Sequence, residues 1–114
     1  MRYRGVVQKG TRRGHELGFP TINIALTDAG ATGIYAGRVK INNEEYHAAV
    51  YADQRRHVLE AHLGKFPGGE LYGKFAEIEL LKKIREDKRF DSEEELRKQI
   101  QKDIYDVRDY FRSV

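Results

Sequence analysis

The stretch Gly33-Ile-Tyr-Ala-Gly-Arg-Val-Lys-Ile41, followed by Asn42-Asn43-Glu44 and then by residues 46–52 (YHAAVYA), sets the fold of this chain. Each of the two longer runs has the pattern of a β-strand. Asparagine tolerates positive φ, which the tight turn between two paired strands requires. The stretch therefore predicts an antiparallel β-hairpin at the centre of the sequence.

Four more strands are predicted on either side of this hairpin, at Arg2–Gln8, Thr21–Ala25, His57–Leu63 and Leu71–Leu81. Apolar residues alternate along the last two, so that each strand has one apolar face, formed by Leu59, Ala61 and Leu63 and by Ala76, Ile78 and Leu80. Six short strands joined mostly by tight turns predict a mainly β fold, a six-stranded antiparallel closed barrel over residues 1–84.

The last part of the sequence changes from strand to helix periodicity. Ser92 and Glu95 have the spacing of a capping box at a helix N-terminus. Apolar residues then recur at helical spacing, at Leu96, Ile100, Ile104, Val107 and Phe111. We therefore expect an amphipathic α-helix over residues 92–112, packed on the barrel within a single domain of residues 1–114.

Composition limits the classes of protein to which the chain can belong. The 114 residues carry a net charge of +3, and none of them is cysteine, which suits a reducing, cytoplasmic compartment. No apolar run approaches the ~18 residues that a membrane span needs. Residues 1–40 hold seven Lys/Arg against two Asp/Glu, so an anionic small molecule or a nucleic acid would be drawn to this part of the protein.

The segment Gly10-Thr-Arg-Arg-Gly-His-Glu-Leu-Gly-Phe-Pro-Thr-Ile-Asn23 suggests a nucleotide site. Two glycines permit main-chain N–H groups to turn toward an anion, and Arg12, Arg13 and His15 add donors. Thr21 and Asn23 would present two neutral oxygens on one face of a strand, as Mg²⁺ bound to nucleotide phosphates requires. The alternative is an ordinary exposed turn followed by polar residues at a strand end.

Four segments, in order, resemble the riboflavin kinase family, as in the C-terminal half of bacterial bifunctional riboflavin kinase/FAD synthetases: Leu17-Gly-Phe-Pro-Thr-Ile-Asn23, Gly33-Ile-Tyr-Ala36, Leu59-Glu-Ala-His-Leu63 with Gly69-Glu-Leu-Tyr-Gly73, and Ile84-Arg85 with Phe90-Asp-Ser92. The resemblance implies the barrel fold. It also implies Mg²⁺-dependent transfer of the ATP γ-phosphate to the terminal ribityl hydroxyl of riboflavin, giving FMN and ADP. We expect a stand-alone domain, without the adenylyltransferase domain of the bifunctional proteins.

The resemblance also assigns roles to individual residues. Thr21 and Asn23 would bind Mg²⁺, and Glu60 would accept the hydroxyl proton. ATP would contact Gly10, Arg13, Gly14, His15, Pro20 and Thr21. Arg85 and Phe90, between barrel and helix, would contact the flavin by stacking; Tyr51 and Tyr72 are further candidates.

Each of these roles has a structural alternative. From the residues alone, Glu60 is a solvated glutamate on an exposed strand face. Phe90 would dock the helix, and Arg85 would pair with a nearby acid. His62 shares a face with Glu60, and we expect it to be a packed or hydrogen-bonded structural residue.

Two other functions compete with a kinase. A catalytically degenerate flavin- or nucleotide-binding module is suggested by Arg12, where the family has glycine, and by the absence of the family's Arg-Pro-Thr turn between Tyr46 and Glu60. A small barrel that binds nucleic acid through its basic first half is the other alternative, although we do not expect a nucleic-acid partner. We expect a monomer that binds riboflavin/FMN and ATP/ADP and does not bind a membrane.

Overall fold

The computed structural model describes residues 1–8, 20–64 and 71–114. The elements are β1 (Arg2–Val6), β2 (Thr21–Ala25), β3 (Gly33–Ile41), β4 (Glu44–Asp53), β5 (Val58–Leu63), β6 (Phe75–Arg85) and α1 (Glu93–Arg112). The predicted strand β6 began too early. Residues 71–74 instead form a turn, in which Gly73 has φ +81° and the N–H of Lys74 donates to the carbonyl of Leu71.

The six strands form one antiparallel sheet in the order β1-β6-β3-β4-β5-β2. The sheet curls until its two edges meet, where the N–H of Gln8 donates to the carbonyl of Asn23 at 2.7 Å. The result is a nearly closed barrel with one helix on its outside, which confirms the predicted fold class.

The central hairpin forms as its sequence indicates. Asn42 and Asn43 have φ angles of 52° and 64°, and Ile41 pairs with Glu44. Positive φ at both central residues is the requirement of a type I′ turn, which matches the twist of the flanking strands. The turn fixes the register of β3 and β4, and with it the positions of residues further along both strands.

Side chains alternate between the barrel interior and its outer face. The interior is filled by side chains from all six strands, with Ile24, Val39, Ile41, Val50, Leu59 and Ile78 among the most buried. The residues between them on each strand face outward. This alternation places Thr21, Asn23, Glu60 and His62 on the outer face, since their strand neighbours Ile22, Ile24, Leu59 and Ala61 belong to the interior core.

Helix α1 begins as the sequence predicts and packs on the outside of β3 and β4. The Ser92 side chain caps it by accepting the N–H of Glu95 at 3.2 Å, while the Glu95 carboxylate accepts the N–H of Asp91. Val107 packs against Ala36 and Ala49, which are cross-strand partners whose small side chains permit close approach. Among the described residues, no helix has the length and apolar character to span a membrane.

Candidate active site

The register of β2 and β5 brings together the residues predicted for the metal and for proton transfer. Asn23 lies directly opposite Glu60, and Thr21 lies directly opposite His62. Directly opposed residues of an antiparallel pair have Cβ atoms about 5 Å apart. Four polar side chains from two neighbouring strands therefore form one cluster on the outer wall of the barrel.

Glu60 is buried although it faces outward. Only 8% of its surface is exposed, so the alternative of a solvated glutamate is wrong. The side chains of His62 and Arg56 lie next to it: Nε2 of His62 is 3.4 Å from one carboxylate oxygen, and Nη2 of Arg56 is 3.3 Å from the other. Both carboxylate oxygens thus have a donor beside them.

His62 connects Glu60 to Thr21. Its Nδ1 lies 3.1 Å from the Thr21 hydroxyl, while its Nε2 faces Glu60. Burial lowers the pKa of His62, even though the negative charges of Glu60 and Asp103 act in the opposite direction. A carboxylate only accepts hydrogen bonds, so the tautomer that suits Glu60 has its hydrogen on Nε2, and in that tautomer Nδ1 accepts from the threonine hydroxyl. The expectation that His62 is packed and hydrogen-bonded is confirmed.

Asn23 has an unusual environment for an amide. It is 3% exposed, and its Oδ1 has no hydrogen-bond partner within the described part of the chain. A buried carbonyl oxygen without a hydrogen-bond partner lowers the stability of the folded protein. Where a native protein keeps such a group, a catalytic role or a bound water or ion usually explains it. A neutral oxygen beside a threonine hydroxyl is a donor set that fits Mg²⁺. The described residues contain no group of three or more His, Asp or Glu that would hold a metal by itself.

A cavity of about 340 Å³ lies between this cluster and the first half of α1. Its lining includes Glu60 from the cluster, together with Arg56, Tyr51, Arg85 and Phe90. The structure thus places both residues predicted for the flavin in the same cavity as the predicted proton acceptor. Tyr72, the other stacking candidate, packs against the barrel core instead.

Arg85 is the last residue of β6, not part of the linker as expected from sequence, and it is paired with a carboxylate. Its Nε and Nη2 atoms donate to the two oxygens of buried Asp103 on α1, both at 2.8 Å. The alternative that Arg85 pairs with a nearby acid is therefore confirmed. Because the pairing occupies the edge of the guanidinium, the faces of this planar group remain the surfaces by which a ring can stack on it.

A second cavity, of about 510 Å³, lies under the other half of α1. It shares Ala49 and His62 with the first, so the two form one groove beneath the helix. Its lining includes Arg108 and Phe111 from α1. The Phe111 ring stacks on His47, with ring centroids 3.6 Å apart.

Several predicted nucleotide contacts cannot be placed. Gly10, Arg12, Arg13, Gly14 and His15 lie outside the described residues. Pro20 is described, and its carbonyl accepts the N–H of Leu63 at 2.8 Å, which extends the pairing of β2 with β5.

Sequence reasoning missed Arg56, Asp53 and Asp103 as parts of this region. Asp53 accepts the N–H groups of Arg55 and Arg56 and the Arg56 guanidinium. Burial would raise the pKa of Asp53, but these hydrogen bonds outweigh it, and the pKa is lowered. The available signal for Arg56 was a basic residue in the turn that leads into the strand of Glu60.

Comparison with known proteins identifies relatives of this chain. The chain is 32% identical to a Bacillus subtilis bifunctional riboflavin kinase/FMN adenylyltransferase, over 97% of this chain and 39% of that protein. It is 38% identical to an RNA-binding riboflavin kinase of the same organism, over 88% of this chain and 46% of that protein. The chain therefore spans less than half the length of both relatives.

A solved structure shows the same fold. The riboflavin kinase from Trypanosoma brucei superposes with a TM-score of 0.69 at 25% identity, covering 97% of this chain and 79% of that one. The sequence model of the flavokinase (riboflavin kinase) family matches residues 1–111. This match covers nearly the whole chain, and the chain belongs to the riboflavin kinase family.

Proposed function

We propose that this chain is an ATP:riboflavin 5′-phosphotransferase, which transfers the γ-phosphate of ATP to the terminal ribityl hydroxyl of riboflavin and releases FMN and ADP. The observation that carries the proposal is the pairing of Asn23 with Glu60 across β2 and β5. A kinase of this type needs a metal-bound triphosphate and a proton acceptor next to each other, and family membership supplies the substrates.

Glu60 is the proposed proton acceptor. Its carboxylate lines the cavity in which Arg85 and Phe90 would contact the flavin. When the ribityl oxygen bonds to the γ-phosphorus, its proton passes to Glu60, and the bond to the β-phosphate oxygen breaks to release ADP. The buried position of Glu60 limits the access of water, which would otherwise compete as the phosphoryl acceptor.

The residues present fit Mg²⁺. The Asn23 Oδ1 atom and the Thr21 hydroxyl would hold it, since Asn23 Oδ1 lacks a partner within the described chain and the Thr21 hydroxyl lies on the same strand face. Bound with the nucleotide, Mg²⁺ supplies neutralisation of charge on the phosphate oxygens. Gly10, Arg13, Gly14, His15 and Pro20 are the proposed contacts of the nucleotide phosphates, with Thr21.

The test is turnover of riboflavin by the purified chain with ATP and Mg²⁺, with FMN and ADP measured by chromatography. We expect equal amounts of the two products, and loss of turnover in Glu60→Gln with riboflavin binding retained. Riboflavin binding without phosphorylation by the wild type, with ATP and with other nucleotides, would favour the degenerate binding module instead.

We propose that residues 1–114 form one riboflavin kinase domain, which acts as a monomer in the cytoplasm on riboflavin and ATP. One of the Bacillus subtilis relatives is, by its name, an RNA-binding riboflavin kinase. Binding of this chain to RNA that falls steeply with salt, without ATP binding, would favour a nucleic-acid function over the kinase.

A further inference from the structure

Arg56 lies in the turn between β4 and β5, and its guanidinium reaches into the proposed active site. Its Nη2 atom is 3.3 Å from Oε2 of Glu60, and the side chain lines the same 340 Å³ cavity. The other carboxylate oxygen, Oε1, faces Nε2 of His62 at 3.4 Å. The Glu60 carboxylate is therefore held between two donors, one for each oxygen.

Arg56 is itself held firmly in place. Oδ2 of Asp53 accepts from Nε of Arg56 at 2.6 Å, while Oδ1 accepts the main-chain N–H groups of Arg55 and Arg56 at 3.0 and 3.2 Å. Asp53 is only 7% exposed. A carboxylate that binds both the backbone and the side chain of the turn fixes the direction of the guanidinium.

The Arg56 guanidinium contacts two different carboxylates through two different nitrogen atoms. The Nε edge is used by Asp53, and the Nη2 group extends to Glu60. A lysine could not make both contacts, because it carries a single point of charge on a flexible stem.

We propose that Arg56 is a positioning residue, which fixes the carboxylate of Glu60 in the orientation from which it accepts the proton of the substrate hydroxyl. The inference rests on the proposed function. Arg56 neither gives nor takes a proton: the proton moves from the ribityl oxygen to Glu60, and the γ-phosphoryl group moves from ATP to that oxygen, which leaves ADP. The guanidinium holds the Glu60 carboxylate in the required direction before the transfer.

The same contacts would also occur if Arg56 served only to stabilise the turn. The two roles differ in their dependence on Glu60. A positioning residue acts through the carboxylate, so its removal matters only when that carboxylate is present. A residue that only stabilises the turn would have the same effect on turnover whether residue 60 were Glu or Gln.

A double-mutant cycle tests this directly, with Arg56→Gln, Glu60→Gln and the double variant. We expect Arg56→Gln to lower kcat by roughly 10- to 100-fold, with the KM values for riboflavin and ATP changed less than about threefold. In the Glu60→Gln background the same substitution should not reduce the residual kcat further. An equal reduction in both backgrounds, or a wild-type kcat for Arg56→Gln, would overturn the proposal.

Two further variants control the experiment. Arg55→Gln changes the exposed neighbour, whose main-chain N–H is what binds Asp53, and should retain wild-type kcat. Arg56→Lys keeps the positive charge but lacks the planar guanidinium with its several N–H donors. We expect its kcat to lie between those of wild type and Arg56→Gln. This variant also replaces Arg56→Gln in the test if Arg56→Gln does not fold.

A crystal structure of Arg56→Gln provides a readout that does not depend on turnover. We expect the Glu60 carboxylate to rotate away from its position beside His62, and an unchanged carboxylate would refute the positioning role. If the wild type lacks turnover, the proposed function fails on its own account. If the wild type is active and Arg56→Gln is equally active, only the inference about Arg56 fails.

Discussion

Asn23 and Glu60 face each other across β2 and β5, and the Oδ1 atom of Asn23 has no hydrogen-bond partner within the described residues. A kinase would be ruled out if the acid lay on the opposite side of the barrel from the threonine–asparagine pair. The register instead places them on one wall, within the distance of a single cross-strand pair.

Glu60→Gln should separate binding from chemistry. The amide keeps the size of the side chain but cannot accept the hydroxyl proton, so we expect kcat to fall by roughly 10²- to 10⁴-fold. Riboflavin binding, followed by quenching of flavin fluorescence, should change little. Loss of turnover of less than about threefold would exclude Glu60 as the proton acceptor.

Asn23→Leu should weaken metal use without weakening the fold. The substitution removes a buried oxygen that lacks a partner, so the free energy of unfolding in the absence of metal should stay the same or rise by up to about 2 kcal/mol. The Mg²⁺ concentration for half-maximal turnover should rise at least tenfold. Chemical denaturation and a Mg²⁺ titration measure the two effects, and an unchanged Mg²⁺ requirement would argue against Asn23 as a ligand.

Asp103→Ala should destabilise the protein strongly. Asp103 is 3% exposed and makes two hydrogen bonds to Arg85, so its removal leaves a partly buried guanidinium without its anion. We expect a loss of about 3–5 kcal/mol in the free energy of unfolding, measured with urea. The pair of Lys102 and Asp106 on the same helix is far more exposed. Lys102→Ala should cost less than about 1 kcal/mol, and a similar loss in both variants would contradict this account.

His62 should make stability depend on pH. Its pKa in the folded protein is lowered by burial, whereas in the unfolded chain it is near 6.5. Below pH 6.5 the unfolded state therefore binds more protons than the folded state, and the free energy of unfolding falls as the pH falls toward the folded pKa, by at most about 1.4 kcal/mol per unit.

The measurement is urea denaturation between pH 7.5 and 5.5 in the absence of Mg²⁺. His62→Gln should have a flatter profile than the wild type over this range. His57→Asn is a suitable control, because residue 57 is exposed and has φ 58°, a conformation that asparagine tolerates. A wild-type profile that is flat, or one that is equally steep in His62→Gln, would contradict the prediction.

Local patterns predicted most of the fold. Alternation placed Leu59 and Ala61 in the barrel interior, the two asparagines marked the hairpin, and Ser92 with Glu95 marked the start of the helix. The beginning of β6 was wrong because Gly73 takes a positive φ within a turn, and an apolar run around a glycine does not reveal such a turn.

The candidate site was only partly predictable, because it depends on contacts between distant residues. The spacing of Thr21 and Asn23 indicated a shared face, but nothing in either strand showed that they would lie opposite His62 and Glu60. The burial of Glu60 was also not evident, since it results from neighbours contributed by other elements. Arg56 was missed because the direction of a turn side chain depends on the hydrogen bonds of Asp53.

The apolar contacts inside the barrel are more extensive than those that attach helix α1 to the barrel. The barrel has an extensive core of its own, whereas α1 is attached through a small cluster around Val107 and through the contact of Arg85 with Asp103. Heating should therefore release the helix from an otherwise intact barrel. Because the groove exists only while the helix covers it, such a protein would stop working before it melts, and its working temperature range would be narrower than its melting curve suggests.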